Sequence, residues 1–256
     1  MSPEVSLCRF DIELAKKKKA VHIVGIDEAG RGPLAGPVTA CAAFIPLHAY
    51  DKLDSIINDS KKLSPLKREK AFSFMLSCGV RFGFGWAAAA EIDRTDILSS
   101  ALNSMLQACG RLFICLKSLP ELNFIPERTL VLVDGNHKMR NAGHIWQQPL
   151  IGGDAKSAAV AAASIFAKVI RDRWMDLLSE KYPEYGFSKH KGYGTQEHIR
   201  AISACGPCPE HRMTFAPLNT MFPSLSFKTN AGDNKMRARQ SRNKNHKKEC
   251  VQPELF

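Results

Sequence analysis

Apolar residues change their spacing along this chain, and the change separates strands from helices. Residues 21–26 (VHIVGI) and 38–45 (VTACAAFI) are short, β-branched-rich apolar runs, of the length and composition that buried strands need. The segment between them, AGRGPLAGP at 29–37, carries three glycines and two prolines. Such a turn predicts two neighbouring, antiparallel strands. Over 80–87, Val80, Phe82, Phe84 and Trp86 alternate with small or polar residues, and a period of two predicts a third strand. TLVLVDG at 129–135 reads as a buried strand ending at Asp134.

The later half switches to helical spacing. Leu, Phe, Met and Ile recur at three- and four-residue intervals over 65–78 and 97–118, which predicts amphipathic helices. The longest helix is expected over 156–181, alanine-rich at first, then charged, and stopped by Tyr182–Pro183. A further helix is expected over 195–204. With strands early, helices late and no fixed-period repeat, the class is α/β with a mixed sheet. Residues 1–20 form a charged lead-in and 21–227 the folded body. The apolar pattern stops at Lys228, so 228–256 is expected to be a disordered basic tail.

Charge sharpens this picture. The net charge is +11 and the isoelectric point about 9.3, which points to a polyanionic partner, nucleic acid before anionic membrane. The tail carries a net +5 and the lead-in +2, against +4 for the whole body. No apolar run approaches the roughly 18 residues a membrane span requires, and the six apolar-rich residues after Lys16–Lys19 are too few for a secretory signal. Eight cysteines without framework spacing read as reduced thiols, and the expected compartment is the cytoplasm. A monomer is expected.

Four carboxylates stand out by position. Asp27 and Glu28 end one strand, Asp134 ends another, and Asp154 follows Gly152–Gly153 just before the long helix. Strand ends in α/β sheets are where ligand sites form, and clustered carboxylates suit Mg²⁺ or Mn²⁺, hard cations that prefer oxygen. Two such ions can serve phosphodiester hydrolysis without a Ser, Cys or His nucleophile. Taken singly, each carboxylate also has an ordinary reading as a turn or cap residue. Spacing alone leaves open whether the four converge.

Six spaced motifs bear on that question: GIDEAGRGPLAGP at 25–37, NDSKKLS at 58–64, LVDGN at 132–136, GGDAKSAAVAAASIFAKVIRDRWM at 152–175, HKGYGT at 190–195 and GPCPEHRMTF at 206–215. In this order they resemble the signature of the ribonuclease HII family over about residues 21–217. The resemblance implies a ribonuclease H-like fold, a central mixed β-sheet flanked by helices with a helical C-terminal portion. It also implies a catalytic and metal-binding tetrad of Asp27, Glu28, Asp134 and Asp154 with two Mg²⁺ or Mn²⁺ ions. The implied reaction is hydrolysis of RNA in RNA–DNA hybrids and 5′ to single ribonucleotides in duplex DNA, leaving 3′-hydroxyl and 5′-phosphate ends. Its implied role is ribonucleotide removal during replication and repair.

Telling RNA from DNA requires contact with the 2′-hydroxyl. Gly30, Arg31 and Gly32 suit it, since glycines admit a close backbone approach and Arg31 can grip a phosphate by a forked pair of bonds. By resemblance this is the substrate-reading loop, and Tyr193 stacks on sugar at the RNA–DNA junction. Ser60, Lys61, Lys62 and Arg212 are expected on phosphates, with Lys156 and Ser157 near the backbone at a helix start. His190 and His211 lie near the expected cleft without an assigned role.

Cys205-Gly206-Pro207-Cys208 has redox-motif spacing, but it follows a helix instead of opening one, and no second ligand pair supports zinc. The terminal QPELF, through Gln252, Leu255 and Phe256, resembles sliding-clamp binding peptides and is expected to tether the chain to a clamp. The rival from another class is a non-catalytic nucleic-acid-binding protein whose affinity comes from the basic tail.

Overall fold

The computed structural model describes residues 6–57 and 63–224. Ser60, Lys61, Lys62, the basic tail and the QPELF end lie outside the described residues.

Five strands form one sheet in the order β3-β2-β1-β4-β5, with β1 at His22–Ala29, β2 at Val38–Phe44, β3 at Arg81–Ala87, β4 at Thr129–Asp134 and β5 at Gln147–Leu150. β1 pairs antiparallel with β2, and β2 with β3. On its other side β1 pairs parallel with β4, and β4 with β5. The hairpin and mixed sheet expected from the apolar runs are present. β5 was not anticipated, because QQPL carries a proline and no apolar alternation.

Period-two alternation sends each strand's side chains to opposite helices. Val24 and Ile26 of β1 and Val131 and Val133 of β4 pack with Leu102, Met105, Ala108 and Leu112 of α5, Ile97–Lys117. Ile23, Leu130 and Leu132 face the other way, onto Ala159 and Val160 of α6, Ala158–Lys181. α6 lies almost on the sheet, since a β-carbon at Gly25 would stand 2.1 Å from the Ala159 carbonyl carbon. Its alanine-rich start permits this approach. Around this frame lie α1 (Leu7–Lys18), α2 (Tyr50–Ile57), α3 (Pro65–Ser77) and α4 (Ala89–Arg94). After α6 come the short helices α7 (Phe187–His190), α8 (Gln196–Cys205) and α9 (Leu218–Met221), the helical C-terminal portion.

The charged lead-in is more than an appendage. α1 buries Leu7, Cys8 and Asp11, and Asp11 Oδ2 accepts from the Ala159 amide at 2.8 Å. It thereby satisfies one of the orphan donors at the start of α6. Among the described residues no helix is long and apolar enough to cross a membrane.

Candidate active site

Strand parity brings the first two carboxylates together. Ile26 pairs with Val133 on the parallel strands β1 and β4. Asp27 and Asp134 follow that rung, on the face that carries α6. Asp27 is 7% exposed, and burial together with the charges of Glu28 and Asp134 holds its carboxyl well above the usual carboxylate range. A hydrogen bond from Ser164 on α6 works in the opposite direction. Glu28 is raised by burial, opposed by Arg31 and reinforced by Asp134. Arg31 Nη1 stands 3.2 Å from Glu28 Oε1. These three carboxylates therefore share one electrostatic neighbourhood.

Asp154 enters through Asp134. The Gly153 amide donates to Asp134 Oδ1 at 2.6 Å, tying the end of β4 to the turn Gly153–Ala155 that carries Asp154. Glu28, Asp154, Gly30 and Tyr193 line one cavity of about 290 Å³, walled also by Arg68, Ser164, Lys168 and Arg171. A larger cavity of about 820 Å³ opens at the far end of β1, beside His22 and Ile23, and holds none of the expected site residues.

The donor set fits hard divalent cations: all four groups are carboxylates, and two are destabilised as anions by their own neighbours. Among the described residues no group of three or more His, Cys, Asp or Glu is gathered closely enough to hold a metal ion. One oxygen of Asp27 accepts from the Glu28 amide at 2.7 Å, and one of Asp134 accepts from the Gly153 amide at 2.6 Å.

The loop of Gly30, Arg31 and Gly32 meets Tyr193 directly, for a β-carbon at Gly32 would lie 3.7 Å from Tyr193 Cε1. Gly30 has φ +98°, and a β-carbon there would fall 2.0 Å from Arg171 Nε, so no other residue fits that point unstrained. Two buried guanidiniums hold the loop. Arg171 donates to the carbonyls of Pro37, Ala35 and Lys191 at 3.0–3.1 Å. Arg212 donates to the carbonyls of Gly30, Arg31 and Gly36 at 2.7–3.1 Å. Asp93 in turn accepts from the Met213 and Thr214 amides at 2.7 and 3.0 Å.

Two expectations are corrected here. Arg212, expected on a phosphate, is fully buried and spends its donors on the loop's own carbonyls. Ser157 is also buried; it caps α6 by accepting from the Val160 amide at 3.3 Å and faces Asp11, not the cleft. Lys156 is exposed, with Nζ 2.7 Å from the Ile151 carbonyl oxygen.

Arg68, Ser164 and Lys168 were missed by sequence reasoning. Ser164 and Lys168 lie one helical turn apart, so their spacing on α6 was the available signal. The thiol pair gains nothing: burial pushes Cys208 up to about 11, opposite to a redox-active thiolate.

Comparison with known proteins identifies the family. Residues 24–218 match the family model described as ribonuclease HII. Ribonuclease HII of Geobacillus kaustophilus is 48% identical over 197 residues, spanning 77% of this chain and 69% of the relative. Ribonuclease H2 of Pyrococcus horikoshii superposes with a TM-score of 0.61 at 26% identity, covering 80% of this chain and 98% of that one. The ribonuclease HII in the PCNA complex of Archaeoglobus fulgidus, at 23% identity, TM-score 0.57 and coverage of 76% and 95%, shares the fold. The matched span runs from the strand that presents Asp27 to the segment that clamps the Gly30–Gly32 loop, and on it the chain belongs to the ribonuclease HII family.

Proposed function

We propose that this ribonuclease H, an endonuclease on the RNA strand of RNA–DNA hybrids, also cuts duplex DNA 5′ to a single embedded ribonucleotide. Such an activity serves ribonucleotide removal in replication and repair. The observation that carries the reading is the adjacency of Asp27 and Asp134 at the ends of neighbouring parallel strands, with the substrate-reading loop and Tyr193 on the cavity that Glu28 and Asp154 line.

Asp27 and Asp134 would be the central ligands of two Mg²⁺ or Mn²⁺ ions, with Glu28 and Asp154 completing the two positions. When bound, such ions supply positive charge to the phosphate and lower the pKa of water. The chain's own residues do the rest. Gly153 holds the Asp134 carboxylate in place, Ser164 steadies Asp27, and Arg31 neutralises part of Glu28. Gly30, Arg31 and Gly32 bring backbone and a guanidinium to the sugar-phosphate edge, and Tyr193, 48% exposed, offers a ring for the sugar to stack on. Lys156 lies outside the cavity lining and, with Lys168 and Arg68, adds positive charge near the phosphate path.

Ser60, Lys61 and Lys62 are assigned to phosphates, and Gln252, Leu255 and Phe256 to a sliding clamp, on sequence grounds alone. Removing residues 252–256 should abolish clamp binding and leave cleavage of short duplexes unchanged. Metal binding is tested by thermal melting with and without Mn²⁺. The wild type should gain stability on adding the ion, and Asp134→Asn should lose most of that gain. Equal gains in both would remove Asp134 from the metal site.

A further inference from the structure

We propose that His198 and His211 are positioning residues that hold Tyr193 through a one-directional chain of hydrogen bonds; this rests on the reading of Tyr193 as the sugar-stacking residue. His198 and His211 are 0% and 2% exposed, with Nε2 atoms 3.1 Å apart. At one end, the Cys208 amide nitrogen lies 2.9 Å from His211 Nδ1. At the other, His198 Nδ1 lies 2.9 Å from the Tyr193 carbonyl oxygen.

Proton accounting fixes every position in this chain. A peptide N–H only donates, so His211 Nδ1 is bare and its proton sits on Nε2. That proton points at His198 Nε2, which must be bare to accept it. His198 then carries its proton on Nδ1 and donates to the Tyr193 carbonyl, which only accepts. The reversed arrangement would have His211 Nδ1 donate to the Cys208 carbonyl at 3.3 Å. It would forfeit both 2.9 Å bonds and set a bare Nδ1 against the Tyr193 oxygen. A charged His198 would set two N–H groups against each other across 3.1 Å, and a charged His211 would set its Nδ1–H against the Cys208 amide N–H across 2.9 Å. Burial, which pushes both imidazoles down to about 4, agrees with two neutral rings.

The chain ends where the site begins. The Tyr193 amide donates to the His190 carbonyl at 2.9 Å and the Leu34 amide to the Gly192 carbonyl at 2.8 Å. His190 stacks on His198 with ring centroids 4.3 Å apart. Tyr193's backbone is thus held at its N–H, and its C=O takes both the His198 imidazole and the Thr195 amide, at 2.9 and 2.8 Å, while its ring projects toward Gly32. The motif GPCPEHR becomes a strut in this account: its Cys208 and His211 reach the tyrosine through His198.

The test uses the full-length protein. With ¹⁵N-labelled histidine, two-bond ¹H–¹⁵N correlation at pH 7 should show His198 as the neutral Nδ1–H tautomer and His211 as the neutral Nε2–H tautomer, assigned by single substitution. A cationic ring or the opposite tautomers would overturn the chain. His198→Asn places an amide N–H where Nδ1–H stood, whereas His198→Phe keeps the ring stack and removes the donor. We expect His198→Asn to retain wild-type preference for a single-ribonucleotide duplex. His198→Phe should raise KM on that duplex by roughly tenfold or more, with a smaller change in kcat. If Phe outperforms Asn, the contact is packing and the proposal fails. If Tyr193→Ala leaves ribonucleotide preference intact, the stacking role itself is wrong and the strut has nothing to position; the tautomers are read independently of that result.

Discussion

Asp27 and Asp134 stand side by side, each directly after the Ile26–Val133 rung of two parallel strands, and the charge of Asp134 helps hold Asp27 above its ordinary carboxylate range. An acid held high by burial and a neighbouring acid is a stability liability when no cation is bound. Asp27→Asn should therefore abolish cleavage, by on the order of 10²-fold or more, while raising the melting temperature in chelator. The gain should be about 2–4 °C for each kcal/mol of repulsion relieved. A variant that is inactive and also less stable in chelator would show that Asp27 is a structural acid.

The two glycines of the proposed reading loop are predicted to divide, one governing fold and the other selectivity. Gly30→Ala puts a β-carbon onto Arg171 at φ +98° and should cost roughly 1–3 kcal/mol of stability, measured by urea denaturation. Gly32→Ala meets only Tyr193 at 3.7 Å. It should leave stability within about 0.5 kcal/mol while altering the ratio of ribonucleotide-duplex to hybrid cleavage. Equal stability losses in both variants would contradict this division.

Much of this site was legible beforehand, for definite physical reasons. Strands buried on both faces leave apolar runs such as TLVLVDG, and Asp134 is conspicuous because it ends one. Other parts were not legible, because sequence shows residue type and not direction. Arg212 reads as a surface cation and is a buried clamp, since its partners are carbonyls 176–182 positions away, and every residue has one. His198 and His211 are 13 positions apart with unrelated local patterns. α1 reads as part of a lysine-rich lead-in because the run Lys16–Lys19 hides the one acid, Asp11, that docks it on α6.

Asp11 carries its own pH prediction. Burial pushes its carboxyl up to about 7 from 3.8. A raised acid contributes stability that is complete below pH 3.8 and lost as pH rises through 7. Asp11→Asn keeps an acceptor for the Ala159 amide and removes the charge. Its stability relative to wild type should grow from near zero at pH 4 to roughly 1–3 kcal/mol above pH 7. A gain that is constant with pH would show that Asp11 is not the titrating group.

The histidine strut predicts the opposite slope. His198 and His211 titrate near 4 when folded, against 6.5 in a free chain. Between those values the unfolded chain takes up protons that the folded one refuses. Their contribution to stability is therefore complete above pH 6.5 and falls as pH drops toward 4. Over that window the urea midpoint of the wild type should fall relative to that of a His198→Asn, His211→Gln double variant. An identical slope in the double variant would place the titration elsewhere.

The most direct measurement is cleavage of an end-labelled DNA duplex containing one ribonucleotide, with Mg²⁺ present, by the wild type and by Asp134→Asn. The wild type should cut once, on the 5′ side of the ribonucleotide, leaving 3′-hydroxyl and 5′-phosphate ends, and Asp134→Asn should bind the duplex without cutting it. Cleavage by Asp134→Asn at the wild-type rate, or a wild type that cuts long hybrids and leaves the single ribonucleotide intact, would contradict the account.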